Sequence, residues 1–304
     1  MQNKKTLSNI LLGITAIIWG MAFIFQRVGM DSIEPITFNA ARMTSAAVFV
    51  SIIAIILDKN RTKDNTKNVQ EKRKIVKKTV IGGVCCGIFL AAASTVQQIG
   101  IVYTTAGKAG FITAMYMLFV PIINLMLFKK KCSARVWIAV LVGIVGMYLL
   151  CVNDGLAFAN GDLLILLCSL LFSGHILCCD HFSTYCNPIK LSALQFITAA
   201  IISSIIALIT EEPSIEKSVS AAIPILYCGI VSGGIGYTLQ ITAQKYADPT
   251  TASLIMSLES VFAVIAGALF IGEKMSVQEL FGCIVMFAAI ILVQLPASTK
   301  KSSS

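Results

Sequence analysis

Charge is what this sequence has least of. Only 13% of its 304 residues are Asp, Glu, Lys or Arg, about half the share usual in a water-soluble domain, so the chain has too little polar surface to coat a soluble globule. Acidic residues are scarcer than basic ones, 15 against 24, and histidine occurs only twice. Enzyme signatures are missing as well. There is no HExxH, no GxSxG, no GxxxxGK(S/T) and no clustered pair of carboxylates within an apolar block, which leaves a zinc peptidase, a serine hydrolase or a nucleotide-driven motor without its chemistry. The longest polar stretch, 58–78, is too short to form a sensor or nucleotide-binding domain.

What is abundant is apolar sequence, 57% of the chain. It falls into ten blocks: 9–29, 36–57, 79–102, 109–128, 134–152, 161–180, 189–209, 221–243, 250–271 and 278–295. As helices these rise about 27 to 36 Å, enough to cross a hydrocarbon core of about 30 Å. In lipid the backbone must satisfy its own hydrogen bonds, and none of the blocks alternates as a barrel strand would. The expected fold is therefore an all-α integral membrane protein of ten transmembrane helices. The first block follows Lys4 and Lys5 as a signal peptide would, but it is too long and lacks a small-x-small cleavage pattern; it is expected to stay as the first span. The ten cysteines lie mostly within spans, where they act as small apolar residues and suggest no disulfide framework.

The few charges map the topology. A net charge of +9 can signal nucleic-acid binding, yet the basic residues sit in alternate loops. With the N-terminus in the cytoplasm, nineteen of the 24 fall inside, Arg27, Lys108, Lys217 and Lys274 fall outside, and Arg42 alone lies within a span. The positive-inside rule then places both termini in the cytoplasm and the protein in the inner (cytoplasmic) membrane. The loop 58–78, with nine basic residues, reads as a lipid-facing cytoplasmic anchor rather than a nucleic-acid site. The basic tail 296–304 reads as disordered.

The sequence also repeats itself. At an offset of 153, residues 35–56 match 188–209 at ten of 22 positions. At an offset of 143, residues 79–150 align without a gap to 222–293 at twelve of 72 positions, including Cys85 with Cys228, Thr95 with Thr238, Gln97 with Gln240 and Tyr103 with Tyr246. Two domains follow, 9–152 and 161–295, each of five helices. An odd number of helices inverts the second copy in the membrane, and the charges agree: the loop after the second span is basic, whereas its counterpart carries Glu211, Glu212 and Glu216. Inverted repeats around a central cavity are the architecture of alternating access.

Residues 94–123 (STVQQIGIVYTTAGKAGFITAMYMLFVPII) and 251–282 (TASLIMSLESVFAVIAGALFIGEKMSVQELFG) resemble the two EamA-type domains of the drug/metabolite transporter superfamily. Residues 16–29 (AIIWGMAFIFQRVG) are similar to its first helix. The resemblance spans 9–295 and implies a ten-helix inner-membrane carrier, commonly an exporter of amino acids or other small metabolites, with a cavity lined by spans 1, 3, 4, 6, 8 and 9. Two positions depart from the pattern. Ser260 stands where the family usually has a proline after the ninth-span glutamate, which removes a kink expected there, and the Gly-Glu pair closing the fourth helix occurs only as Gly272-Glu273, its first-repeat counterpart being Lys129-Lys130.

Ionisable residues deep in a span are costly and are default candidates for function. Glu259 lies nine residues into the ninth span, about 14 Å along the helix and near the midplane. A carboxyl group there can exchange a proton or meet an amine, or it can hold two helices together. Its repeat mate is Tyr116, which can face it across the pseudo-two-fold axis. Arg42 lies about 9 Å from the outer surface; the reading preferred here is that it snorkels to the headgroups, with an anionic substrate group as the alternative. Its mate is the uncharged Gln195. Gln97 and Gln240 either line the cavity or bridge helices as polar glue. Trp19 and Tyr237 either hold an apolar or cationic part of the substrate or pack helices. His175, Cys178 and Cys179 share one helical face, but without a second ligand pair they make a poor soft-metal site. Glycines 233, 234 and 236 suggest close helix packing and a hinge in the eighth span.

The expected function is a secondary transporter that moves a small metabolite, an amino acid or related polar or amphipathic compound, with export favoured. The alternatives are a multidrug or soft-metal efflux carrier and, further off, a membrane-embedded enzyme or sensor. No cofactor is expected. The expected partners are the small-molecule substrate and the lipid bilayer, with a coupling proton or ion and a homodimer left open, and no nucleic acid.

Overall fold

The structure is a computed structural model that describes residues 2–59, 69–104, 106–130, 132–151, 160–271 and 276–294. The centre of the basic loop (60–68), Gly272-Glu273 and the tail 296–304 lie outside the described residues. Among the described residues the regular structure is all helical. In chain order the helices are α1 (Gln2–Gly29), α2 (Pro35–Lys59), α3 (Val69–Val102), α4 (Ala106–Thr113), α5 (Tyr116–Phe128), α6 (Ala134–Cys151) and α7 (Asn160–Ser183). They continue with α8 (Pro188–Thr210), α9 (Ile215–Ser220), α10 (Ala222–Leu226), α11 (Thr238–Gln244), α12 (Pro249–Met256), α13 (Glu259–Ala266) and α14 (Val277–Gln294). Tyr227–Tyr237 and Gly267–Ile271 are π-helical.

Eight described helices are long and apolar enough to cross a membrane, and two shorter apolar helices, Ala134–Gly146 and Leu280–Leu292, accompany them. The burial pattern is that of a protein in lipid. Polar Asn39, Gln98, His175, Gln195 and Gln240 are fully buried, while Ile55, Leu208, Ile209 and Ile291 are exposed. This inverts the usual soluble arrangement, because hydrocarbon solvates Ile and Leu and the bundle interior must pair the polar groups.

Three helices begin with proline at the first turn, where its missing N–H costs nothing. For α8 the cap is local, Asn187 Oδ1 accepting from the amides of Ile189 (3.0 Å) and Lys190 (3.2 Å). For α12 it is Asp248, accepting from the Thr251 amide at 3.0 Å. α2 is capped from afar: the Glu211 carboxylate accepts from the amides of Ile36 (3.0 Å) and Thr37 (2.7 Å) and from the Thr37 hydroxyl. The predicted loop 58–78 needs correction, because α2 runs to Lys59 and α3 starts at Val69. Lys, Arg, Gln and Glu are good helix formers, so α3 continues past the membrane as a charged, solvated helix.

The fourth and ninth apolar blocks are each interrupted once. Between α4 and α5, at Ala114 and Met115, and between α12 and α13, at Ser257 and Leu258, the backbone tightens to i→i−3 bonds. The two interruptions are matched by the offset of 143. In the ninth span this happens without the proline that Ser260 replaces. Ser253, Ser257 and Ser260 each donate a hydroxyl to the carbonyl three residues back, at 2.9, 2.7 and 2.8 Å, and such back-bonding bends a helix by itself.

In the core α2 packs on α8, α6 on α14, α3 on α7 and α8, and α1 on α13. Two close approaches fix the positions of the buried charges. A Cβ on Gly20 would lie 2.7 Å from the Glu259 carbonyl oxygen, so only glycine lets α1 approach α13 this closely. A Cβ on Gly229, in the first π-helical segment, would lie 2.7 Å from the Arg42 carbonyl oxygen. The glycine run expected to be a hinge is thus a widened π-helical turn seated against α1 and α2.

Candidate functional site

The interrupted spans, the π-helical segment and α1 converge on one internal cavity. Its wall comes from the first, third, fourth, sixth, eighth and ninth apolar blocks and, through Arg42, from the second. All seven residues singled out from the sequence lie on it: Glu259, Tyr116, Arg42, Gln97, Gln240, Trp19 and Tyr237. The free volume is ≈ 30 Å³, room for a water or two, so anything larger enters only when the helices part.

Glu259 is the first residue of α13 and Tyr116 the first of α5. Both are buried, and the tyrosine hydroxyl stands beside the carboxyl group. Neither Tyr116 Oη nor Glu259 Oε1 has a partner at hydrogen-bond geometry. Arg42 is 7% exposed, which overturns the snorkelling reading. Its Nε donates to Asn39 Oδ1 at 2.9 Å and its Nη2 is buried without a partner. The helix turns this residue inward because Asn39, one turn earlier, is tied at Nδ2 to Thr95 Oγ1 and Ser203 Oγ, both at 3.1 Å, and to Ser94 Oγ at 3.3 Å.

The two amides differ. Gln97 donates to Thr113 Oγ1 at 3.2 Å, while both side-chain polar atoms of Gln240 are buried without partners. Trp19 donates its indole N–H to the Ser232 carbonyl at 3.2 Å and packs on Tyr237 with ring centroids 4.7 Å apart. Tyr237 also meets His175 edge-on at 5.5 Å and Phe196 at 5.6 Å. The indole donor is therefore held by the π-helical segment, and Trp19 and Tyr237 form an aromatic flank of the cavity.

Sequence reasoning missed Gln26, Thr113, Phe172, His175 and Ser232 on this wall. Gln26 carried the available signal, being a buried amide inside the first span with Oε1 unpartnered. His175, weighed from the sequence only as a metal ligand, instead bonds Gln195 Oε1 at 3.0 Å. Cys179 Sγ lies 3.4 Å from His175 Nε2 and 3.8 Å from Cys86 Sγ. Among the described residues no group of three His, Cys, Asp or Glu side chains is placed to hold a metal ion.

Away from the cavity, Lys217 forms an ion pair with Glu34 between α1 and α2, beside an open pocket that also includes Arg27 and Asp31. The hydrogen bond from Lys217 is the main reason the Glu34 carboxyl is held below the ordinary carboxylate value, and the same bond pushes the Lys217 ammonium up. At the other end of α2, Asp58 pairs with Lys190 of α8 at 2.7 Å.

Known proteins resemble the chain along nearly its whole length. The sequence profile of the EamA-like transporter family matches residues 6–152 and again 159–295. An uncharacterized transporter of Archaeoglobus fulgidus is 30% identical over 292 residues, covering 96% of this chain and 87% of its own. The uncharacterized transporter YoaV of Bacillus subtilis is 20% identical over 96% of this chain and 99% of its own. Protein PagO of Salmonella typhimurium is 22% identical over 95% and 93% of the two chains. A crystal structure superposes with a TM-score of 0.73 at 15% identity, over 94% of this chain and 96% of that one, a likeness of fold alone.

Proposed function

Because the chain belongs to the EamA-like transporter family, we propose that it is a secondary carrier that moves a small metabolite, an amino acid or related polar compound, by alternating access, with export the favoured direction. The observation that carries this reading is the cavity wall. Gln26, Arg42 and Gln240 line one space and carry buried polar atoms without partners, and Tyr116 and Glu259 on the same wall have only each other nearby. Leaving such an atom unmade costs about 1–3 kcal/mol, more for a charged group, so a wall of them is stable only if something polar fills it. The aromatic flank of Trp19 and Tyr237 suits an apolar part of the same ligand.

Ten spans in two inverted five-helix repeats, 9–152 and 161–295, give this cavity its two exits, with both termini in the cytoplasm and the protein in the cytoplasmic membrane. Support comes from the matched interruptions before Tyr116 and Glu259 and from the two separate family matches. The tight cavity is the occluded stage between the two openings. Glu259 carries the coupling proton, a role supported by its burial and its unpartnered Oε1.

Untargeted metabolite profiling of the medium of overproducing cells tests the transport reading. An amino acid or related compound accumulates outside; unchanged profiles against a vector control count against it. Glu259→Gln tests the coupling. A pH gradient drives flux in proteoliposomes of the wild type and not of the variant, and equal pH-driven flux sinks the proton-carrying role.

A further inference from the structure

We infer that Arg42 is the docking point for a carboxylate on the substrate, and that Asn39 is the residue that aims it. The inference rests on the carrier reading and adds which residues hold the cargo and how it lies: a zwitterion with its carboxylate on α2 and its ammonium toward Glu259.

The argument begins with a charge left without its match. A guanidinium taken out of water is several kcal/mol worse off unless an anion accompanies it. Arg42 is buried, and among the described residues no carboxylate pairs with it; its one protein bond is to a neutral amide. Arg42 lines the cavity, and its Nη2 is buried with nothing to donate to. Guanidinium and carboxylate meet as a planar fork, the strongest common hydrogen-bonded pair, so the unused donor fits a carboxylate better than a hydroxyl or an amide.

The aim of this donor is fixed. Asn39 shares the two hydrogens of its amide nitrogen among three hydroxyls, Ser94, Thr95 and Ser203, which belong to α3 and α8. That leaves Oδ1 pointing one way, and Arg42 Nε is on it. A long, flexible cation is thereby held by two neighbouring helices before any ligand arrives, which removes part of the ordering cost of binding. Loose polar glue between helices would have no need of a preset donor with an empty lobe. Glu259 completes the recognition. It lines the same space, its Oε1 is also free, and no ion pair joins it to Arg42. A guanidinium and a carboxyl group that share a cavity without pairing are both available to a ligand that carries both signs.

Purified protein in detergent tests the assignment by ligand-induced thermal stabilisation, titrated with the twenty L-amino acids, their methyl esters, which lack the anion, and their N-acetyl derivatives, which lack the cation. The wild type binds at least one free amino acid, and its ester at least tenfold more weakly. In Arg42→Gln, which copies the matched residue of the other half, affinity for that acid falls about tenfold to a hundredfold, and the acid and ester become equal. Arg42→Lys recovers part of the preference, which separates a lost charge from a misfolded variant. Asn39→Ala weakens the acid and leaves the ester unchanged, whereas a merely structural role would weaken both. A wild type that binds ester as well as acid, an Arg42→Gln variant that keeps the preference, or no stabilisation by any amino acid overturns the proposal. Flux distinguishes this failure from failure of the carrier reading. Arg42-dependent binding without movement across proteoliposomes removes the carrier and keeps the docking site; Arg42-independent flux of a compound without a carboxylate does the reverse.

Discussion

Arg42 on α2 and Gln195 on α8 occupy matched positions in the two halves of the sequence, and the structure treats them differently. Around Arg42, which lines the cavity, a network fixes the side chain and leaves a buried donor without a partner. Around Gln195 the side-chain oxygen is spent on His175 at 3.0 Å, and His175 lines the cavity instead. The supporting positions correspond while their chemistry does not. Asn39 bonds Thr95 in the first half, and Ser192 accepts from Thr238 at 2.8 Å in the second. The packing corresponds as well, since a Cβ on Gly87 would lie 2.7 Å from the Gln195 carbonyl oxygen as one on Gly229 would from that of Arg42. The lesson is that positions matched in the sequence share their packing, while single differences between them put a charged residue on the cavity at one and leave the other neutral.

The largest effect should come from forcing the halves to be alike. Gln195→Arg buries a second guanidinium where the neighbours are His175 and Cys179, and it should destabilise the protein by on the order of 3–5 kcal/mol, read as loss of monodisperse protein and a lower Tm. An unchanged Tm would mean that this wall can solvate a charge. Next comes the frame. Gly229→Ala pushes a Cβ into Ser45 and the Arg42 carbonyl and should cost about 1–3 kcal/mol, whereas Gly13→Ala, with nothing within 4 Å, should be silent; equal stabilities would dissolve the claim that close approach positions Arg42. A smaller contrast separates the matched amides. Gln240→Ala should weaken substrate binding about tenfold, and Gln97→Ala, already committed to Thr113, clearly less. If neither changes affinity, both amides are structural.

The smallest effect concerns the ion pair between Glu34 and Lys217. Its Glu34 side has a lowered pKa, so its contribution is fully present above the ordinary carboxylate value and is lost as pH falls through the lowered one. Because Lys217 is half exposed and Glu34 about a third exposed, the pair is partly screened, and Glu34→Gln should lower Tm by at most about 2 °C at neutral pH. The difference should vanish on acidification below pH 4.5. A gap that widens in acid would contradict the assignment.

Much of this was legible in the sequence because lipid is a strict solvent. A span needs about twenty apolar residues, so the apolar blocks mark eight helices long enough to cross and two shorter ones, and a polar residue inside one is conspicuous, as Glu259, Gln97 and Gln240 were. Direction was harder to read. Both the lipid face and the core face of a span are apolar, so α2 has no strong sidedness, and only the partners of Asn39 on α3 and α8 reveal that Arg42 turns inward. The π-helical turn at Tyr227–Tyr237 was also hidden, since a glycine run signals close packing but does not specify a hydrogen-bond register. His175 was noticed for the wrong reason: its sequence neighbours are cysteines, whereas its partner Gln195 lies on the next helix.

The central claim is that the polar cavity is the substrate site of a carrier, and counterflow in proteoliposomes tests it most directly. Vesicles are preloaded with an unlabelled L-amino-acid mixture and diluted into a trace of the labelled mixture. The account predicts a transient, saturable overshoot of label inside vesicles holding the wild type, absent from those holding Arg42→Gln. Uptake by the wild type no greater than by empty liposomes, or uptake that rises linearly without saturation or overshoot, would contradict it.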